Sequence, residues 1–372
     1  MMSEIHLQLQ ALAQEVAHRE ILPRIKALES GDAQAFAEIW AALAEAGLCG
    51  LSCPEAYGGA GCDALSIALV METLAAVNAS VAVALSVHNT VGILPIVLAA
   101  TPEQKQKYLP KLASGEWISA FALSEPEAGS DAAGSAHTTA TQTPEGGFIV
   151  NGSKIFITNA QSASVFVITA KTAPGKLTAF IVERDTPGFN ILPGEAKLGL
   201  RGSDWGELLF DRCELKPEHC LGELNQGFKL FLSCLDAGRI SIAAISVGLI
   251  AASLSQSAQY ACQREQFGRP IGQFGAIQEK LATMATDLEA ARLMVYHAAR
   301  LKDAGVAYTN AASQAKLFAS EAAMRAATQA VQILGGYGYT TDFPVERIFR
   351  DAKAMTLIEG TSQVQRLVIS RF

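Results

Sequence analysis

Positive charge is scarce in this chain, and so is charge of any sign. Lysine and arginine number 29 against 36 aspartates and glutamates, and only 17% of the 372 residues are charged. A net charge of -7 leaves no cationic excess to neutralise a phosphate backbone, which argues against nucleic acid as a partner. Paired cysteines are missing too. The seven cysteines, at 49, 53, 62, 213, 220, 234 and 262, are odd in number, scattered, and form no Cys-x-x-Cys. They read as reduced thiols in a cytosol-like compartment, and a cytoplasmic location is expected. The six histidines show no metal-ligand spacing, so no metal site is expected. Near the start no basic region precedes an apolar core, because Ser3-Glu4 opens directly into an amphipathic pattern, and no secretion signal is expected.

Uninterrupted apolar runs of membrane-spanning length are also lacking. Ala64 to Ala84 is broken by Glu72, Thr73, Asn78 and Ser80, while Arg239 to Leu254 is apolar nearly all round but short and serine-rich. Both read as core helices and no membrane span is expected. What is abundant is apolar side chain: half of the residues are hydrophobic. A chain of this length can bury two or three sizeable cores or a large subunit interface.

The hydrophobic period divides the chain in three. Residues 1–116 show helical spacing broken at Gly47-Leu48-Cys49-Gly50 and Tyr57-Gly58-Gly59-Ala60-Gly61, with Thr101-Pro102-Glu103 as a helix start. Over 117–227 the period moves toward two. Phe148-Ile149-Val150, Asn151-Gly152 and Lys154-Ile155-Phe156-Ile157-Thr158 predict strand, turn and strand. Helical spacing returns over 228–372. The expected fold is mainly α with a central β domain: an N-terminal α-helical domain, a middle β domain, and a C-terminal domain like a four-helix bundle.

Glu359 is the candidate for chemistry. It follows an apolar run and precedes Gly360, which permits a sharp turn or a close ligand approach. Thr361 or Ser362 then starts a helix, and Ser362 with Gln365 has capping-box spacing. An apolar wall would raise the carboxyl pKa and make a base of it, whereas the helix terminus would favour its charge. Two readings stay open on spacing alone: a base, or a first-turn acid complementing the helix dipole.

The run Ile358-Glu359-Gly360-Thr361-Ser362-Gln363-Val364-Gln365-Arg366 resembles the C-terminal signature of the acyl-CoA dehydrogenases, and further resemblances extend over essentially the whole chain. Phe121-Ala122-Leu123-Ser124-Glu125-Pro126-Glu127-Ala128-Gly129-Ser130-Asp131 is similar to that family's flavin-binding segment, and Phe156-Ile157-Thr158 to the strand that covers the flavin ring. Leu235-Asp236-Ala237-Gly238-Arg239-Ile240, Arg264-Glu265-Gln266-Phe267-Gly268-Arg269-Pro270 and Gln332-Ile333-Leu334-Gly335-Gly336 follow in family order. The resemblance implies FAD-dependent α,β-dehydrogenation of an acyl-CoA thioester, of short-chain or short branched-chain type, in fatty acid β-oxidation. It implies Glu359 as the base that removes the α-proton, with FAD taking the β-hydride and doing the redox chemistry.

The same resemblance implies FAD contacts from Phe121, Leu123, Ser124, Ser130, Phe156, Ile157, Thr158, Thr361 and Gln363. Arg264, Gln266 and Phe267 would reach the FAD diphosphate of a neighbouring subunit in a homotetramer, a dimer of dimers, and Gln332, Gly335 and Gly336 would approach the adenosine part of FAD. Ser130, Asp236, Arg239 and Gly360 would meet the acyl-CoA, and an electron-transfer flavoprotein would accept the electrons. Some relatives carry the base at the residue corresponding to Gly238, which here has no side chain. Two departures stand out. Phe274 is followed by Gly275 where relatives have a glutamine that helps hold FAD, and Trp205 stands where they have a small hydroxyl residue. An acyl-CoA oxidase-like enzyme, or a non-catalytic flavin or acyl-CoA-binding homologue, is the alternative.

Overall fold

The computed structural model describes residues 2–372. The first block is helical: α1 (Glu4–Val16), α2 (Ile25–Glu29), α3 (Ala33–Glu45), α4 (Ala64–Val77), α5 (Ala79–Ser86), α6 (Leu94–Ala99) and α7 (Pro102–Ala113). Helix starts are fixed by short polar side chains. Thr101 forms a capping box with Gln104 ahead of Pro102, and Asp63 accepts from Ser66 N. The Ala64 to Ala84 stretch is two helices. Asn78 adopts an extended conformation that ends α4, and its side chain caps α5 by accepting from Val81 N.

Eight strands form the middle block: β1 (Ser119–Ala122), β2 (Thr139–Gln142), β3 (Phe148–Thr158), β4 (Val165–Ala173), β5 (Lys176–Glu183), β6 (Phe189–Pro193), β7 (Trp205–Leu215) and β8 (Cys220–Leu221). They run in the order β6-β7-β3-β2-β4-β5-β8, with β1 beside β4. The turn expected at Asn151-Gly152 is not there. Those residues lie inside the continuous strand β3, where the pairing with β7 slips between Val150 and Gly152. Gly152 has φ +136, and a Cβ on it would stand 2.6 Å from Thr138 Cα. Asn151 Oδ1 accepts from Arg212 N across the slip. Asn-Gly thus supplies a bulge and a close strand approach rather than a reversal. The reversal between β2 and β3 is at Thr143 to Gly147, closed by Thr143 N donating to Gly147 O.

The last block contains α8 (Gly227–Gln263), the short pair β9 (Glu265–Gln266) and β10 (Arg269–Pro270), then α9 (Gly275–Asp303), α10 (Thr309–Leu334), α11 (Val345–Met355) and α12 (Ser362–Ile369). Helix α8 packs against α4, α9 and α10, which explains why it is apolar nearly all round. Gly248 permits its closest approach to α4, since a Cβ there would meet Glu72 O at 2.4 Å. Several polar ties join the helical blocks, among them Arg347 donating to Val77 O and an Arg350–Glu29 pair. The Asp303 carboxylate accepts from Ala64 N and Leu65 N at the start of α4, and Arg292 pairs with buried Glu72.

The Arg239 to Leu254 stretch is not short, because it belongs to a helix of 37 residues. By length and composition α8 and the stretch Ala79–Ala99 could each cross a bilayer, but 83% and 78% of their apolar windows are buried inside the protein. Packing by α4, α9 and α10, not helix length, accounts for the apolar surface of α8.

Candidate active site

The site is built where α11 ends. After Met355 the chain turns through Leu357 and Ile358 and places Glu359 in the left-handed region, with φ 53, followed by Gly360 with φ 91. For a residue bearing a Cβ this conformation costs roughly 1–2 kcal/mol, so other contacts must hold it. They come from two buried side chains. Gln365 Nε2 donates to Glu359 O at 3.0 Å and to Gly360 O at 2.9 Å, and Lys316 Nζ donates to Gly360 O at 2.7 Å. The expected Ser362–Gln365 capping box does not form. Thr361 is the cap, accepting from Val364 N, and Gln365 is spent on the turn instead.

Burial and neighbouring positive charge act in opposite directions on the Glu359 carboxyl. Burial raises its pKa to about 7, against the pull of Arg239 and Lys316. Its Oε2 is shielded from solvent and has no hydrogen-bond partner. The Glu359 backbone N–H also finds no acceptor among the described residues. Opposite the carboxyl lies α8: a Cβ added at Gly238 would stand 2.7 Å from Glu359 Oε2. The same helix brings Asp236 and Arg239. They form a buried ion pair of 2.6 Å rather than a surface one, extended by Thr309 Oγ1 donating to Asp236 at 2.6 Å and by Arg239 donating to Ser313 Oγ. Burial raises Asp236 above its ordinary range.

The β block carries a second group of the predicted residues. Half-buried Phe121 stacks on Phe231 with centroids 4.1 Å apart, Leu123 is half-buried, and Ser124 O accepts from Ile155 N on β3. Buried Lys154 donates to Leu123 O and pairs with buried Glu125 at 2.7 Å, and the second oxygen of Glu125 accepts from His137 N and Thr138 N. This network fixes the polar loop that ends in exposed Ser130. Phe156 is 60% exposed at φ 60, flanked by buried Ile157 and half-buried Thr158. Trp205 stacks on it at 5.1 Å and is held by its indole N–H donating to Glu195 O.

A third set lies apart. Arg264, Gln266, Phe267, Gly335 and Gly336 line a cleft of about 620 Å³ floored by Ile271, Ile277 and Leu334, and Gln332 is exposed beside it near the end of α10. Phe267 is 94% exposed in the left-handed region, and added Cβ atoms on Gly335 and Gly336 would meet nothing within 4 Å. The cleft offers an arginine fork beside a bare glycine backbone over an apolar floor, which fits a dinucleotide's diphosphate and ring. Gly275, at the start of α9, is equally open. Gln363 lines a separate groove with Lys280, Arg325 and Lys353. One chain therefore does not bring all the predicted residues together. Glu359, Gly360, Asp236 and Arg239 cluster at one place, and the Arg264 set forms another.

Sequence reasoning missed the roles of Lys316, Lys154 and Glu125, and gave Gln365 a cap rather than the turn. A signal existed for Lys316, which sits in the buried stripe Ala312, Ala315, Ala319 and Ala323 of α10, where a lone lysine is out of place.

Comparison with known proteins matches this arrangement along its whole length. The acyl-CoA dehydrogenase N-terminal domain matches residues 3–116, the middle domain 120–213 and the C-terminal domain 225–372. An acyl-CoA dehydrogenase of Bacillus subtilis is 46% identical over 98% of this chain and 97% of its own. The structure of butyryl-CoA dehydrogenase from Megasphaera elsdenii superposes with a TM-score of 0.96 at 39% identity, covering 100% of this chain and 98% of that one. An acyl-CoA dehydrogenase from Bacillus anthracis complexed with FAD gives 0.95 at 36% identity, covering 99% of this chain and 66% of that one. With helical, β and helical blocks matched in order, the chain belongs to the acyl-CoA dehydrogenase family.

Proposed function

We propose that this protein dehydrogenates short acyl-CoA thioesters, straight or short-branched, to trans-2-enoyl-CoA, with Glu359 as the base. The observation that carries the reading is the Glu359 carboxyl: shielded, unpartnered at Oε2, and raised to about 7, near the pH at which it would act. Glu359 takes the α-proton. Its unpaired backbone N–H, turned by the left-handed conformation, donates to the thioester carbonyl and stabilises the charge that develops there. Asp236 and Arg239 on α8, with Gly360 and Ser130, hold the acyl-CoA in register with the carboxyl. FAD, when bound, supplies the hydride acceptor for the β-hydrogen. Phe121, Leu123, Ser124, Ser130, Phe156, Ile157, Thr158, Thr361 and Gln363 would hold it from its own chain.

Arg264, Gln266, Phe267, Gln332, Gly335 and Gly336 would hold the FAD of a second subunit, as the exposure of Phe267 and the separateness of the Arg264 cleft support. A homotetramer and an electron-transfer flavoprotein as acceptor complete the reading. The test is anaerobic mixing of the FAD-loaded protein with butyryl-CoA. Bleaching of the flavin with formation of the enoyl thioester is expected, and slow return of colour in air. A flavin that stays oxidised with every thioester in a chain-length panel overturns the reading. Rapid return of colour favours an oxidase.

A further inference from the structure

Lys316 is unusual among the buried groups of this molecule. Its side chain is fully buried on α10, and its ammonium makes a single hydrogen bond, to the neutral carbonyl of Gly360. Buried ammonium groups are costly unless an opposite charge or several acceptors compensate. The other buried lysine, Lys154, has a 2.7 Å carboxylate partner. The chain could fill the same volume with methionine at no electrostatic penalty. The charge at 316 therefore needs a reason.

Two facts supply one. The carbonyl that Lys316 holds belongs to the left-handed turn carrying Glu359, and Gln365 grips the same turn from α12. The turn also places the ammonium close enough for Lys316 and the Glu359 carboxyl to lower and raise each other's proton affinity, respectively. Gln365 supplies fixation without charge, whereas Lys316 supplies both. Of the other groups facing this space, Arg239 on α8 pulls on Glu359 more strongly than Lys316 does, but it pairs with Asp236 and does not touch the turn; Glu321 on α10 is anionic, and Cys234 and Tyr308 are neutral with raised pKa values.

We propose that Lys316 is a positioning residue for the base: it pins the Gly360 carbonyl so that the Glu359 carboxyl faces α8, and its buried positive charge favours the carboxylate form. This rests on the reading of Glu359 as base, and it deepens that reading by naming what poises the base. Burial of Lys316 lowers its own pKa to about 8, so the ammonium is charged where Glu359 titrates. Removing the charge should raise the carboxyl's proton affinity and leave less carboxylate at pH 7.

The experiment separates charge from fixation. Lys316→Gln can still donate to Gly360 O, Lys316→Met can do neither, and Lys316→Arg keeps the charge. The FAD-loaded proteins are titrated by infrared difference spectroscopy, with Glu359→Gln as the subtraction that isolates the Glu359 carboxyl stretch. The pH profile of flavin reduction by butyryl-CoA is recorded in parallel. Expected is about a tenfold rise in carboxyl proton affinity in Lys316→Gln, a matching upward move of the acid limb of the profile, and return toward wild type in Lys316→Arg. A Lys316→Gln protein with the wild-type midpoint overturns the proposal, as does a folded Lys316→Arg protein that titrates like Lys316→Gln. The infrared titration reads Glu359 whether or not it is the base. Failure of the base assignment would appear separately, as wild-type flavin reduction in Glu359→Gln.

Discussion

Two lysine–carboxylate neighbourhoods are buried in this protein, and they are built to opposite ends. In the β block Glu125 receives Lys154 at 2.7 Å together with two backbone N–H groups, and Lys154 also donates to Leu123 O. Burial pushes Glu125 up, but Lys154 and the backbone donors outweigh it and the carboxyl is held below its ordinary range. At the α11–α12 turn Glu359 keeps an oxygen with no partner, the nearby ammonium is spent on a carbonyl, and burial wins, raising the carboxyl to about 7. A satisfied carboxylate is locked in charge and holds a loop; an unsatisfied one stays ready to take a proton. The difference lies in the donors as well as in depth of burial.

The largest effect expected from breaking this contrast is on rate. Glu359→Gln keeps the shape of the side chain but cannot accept the α-proton, and anaerobic stopped-flow should show flavin reduction slowed by about 10²–10⁴-fold with acyl-CoA binding retained. On the structural side, Lys154→Met leaves Glu125 as a buried charge without its cation. Denaturant unfolding should show a loss of about 3–5 kcal/mol, and the loosened Leu123–Ser130 loop should weaken FAD. A loss under 1 kcal/mol would mean the pair is not what fixes that loop.

The two carboxyls should also differ in sign with pH. For Glu359 the folded state holds its proton above the unfolded value of 4.5, so its burden on stability appears as pH rises from there to about 7 and is complete above it. Glu359→Gln should therefore raise the apo-protein's Tm at pH 8 and hardly change it at pH 4. The gain is roughly 3 kcal/mol at most, since each tenfold in proton affinity is worth about 1.4 kcal/mol. Glu125, held low, contributes stability at neutral pH that is lost as pH falls through its folded value. Equal pH trends in Glu125→Gln and Glu359→Gln would erase the distinction.

The block architecture was legible because helical and strand periods differ along the chain, and the resemblance named Glu359, Asp236 and Arg239, which the fold brings to one place. What was not legible involves choices between partners. Asn151-Gly152 has the same local preferences in a hairpin and in a bulge, and the proximity of Thr138 and β7 selects the bulge. Gln365 can cap a helix or reach back to the turn, and the strained Glu359 carbonyl takes it. Whether burial or the helix terminus governs Glu359 depended on Gln365, Lys316 and α8, which lie up to 121 residues away along the chain or one turn on, and only the fold brings them together.

The smallest effect, and the sharpest geometric question, concerns Gly238. A Cβ there would stand 2.7 Å from Glu359 Oε2 and 3.3 Å from Oε1, so a side chain on α8 would occupy the space the carboxyl now fills. Gly238→Ala alone should push the flexible end of Glu359 aside and slow flavin reduction modestly, because a displacement of under an ångström matters to a proton transfer. Pairing Gly238→Glu with Glu359→Gly removes that collision and aims a carboxylate at the same α-carbon from α8. It should return part of the activity lost in Glu359→Gly, well below wild type, because the new carboxyl lacks the Lys316 and Gln365 grip that sets the native one. Stopped-flow reduction by butyryl-CoA measures both steps. A double variant no faster than Glu359→Gly would mean that the two positions share space but not a line to the substrate, and that the turn held by Lys316 and Gln365 is needed for the geometry as well as the charge.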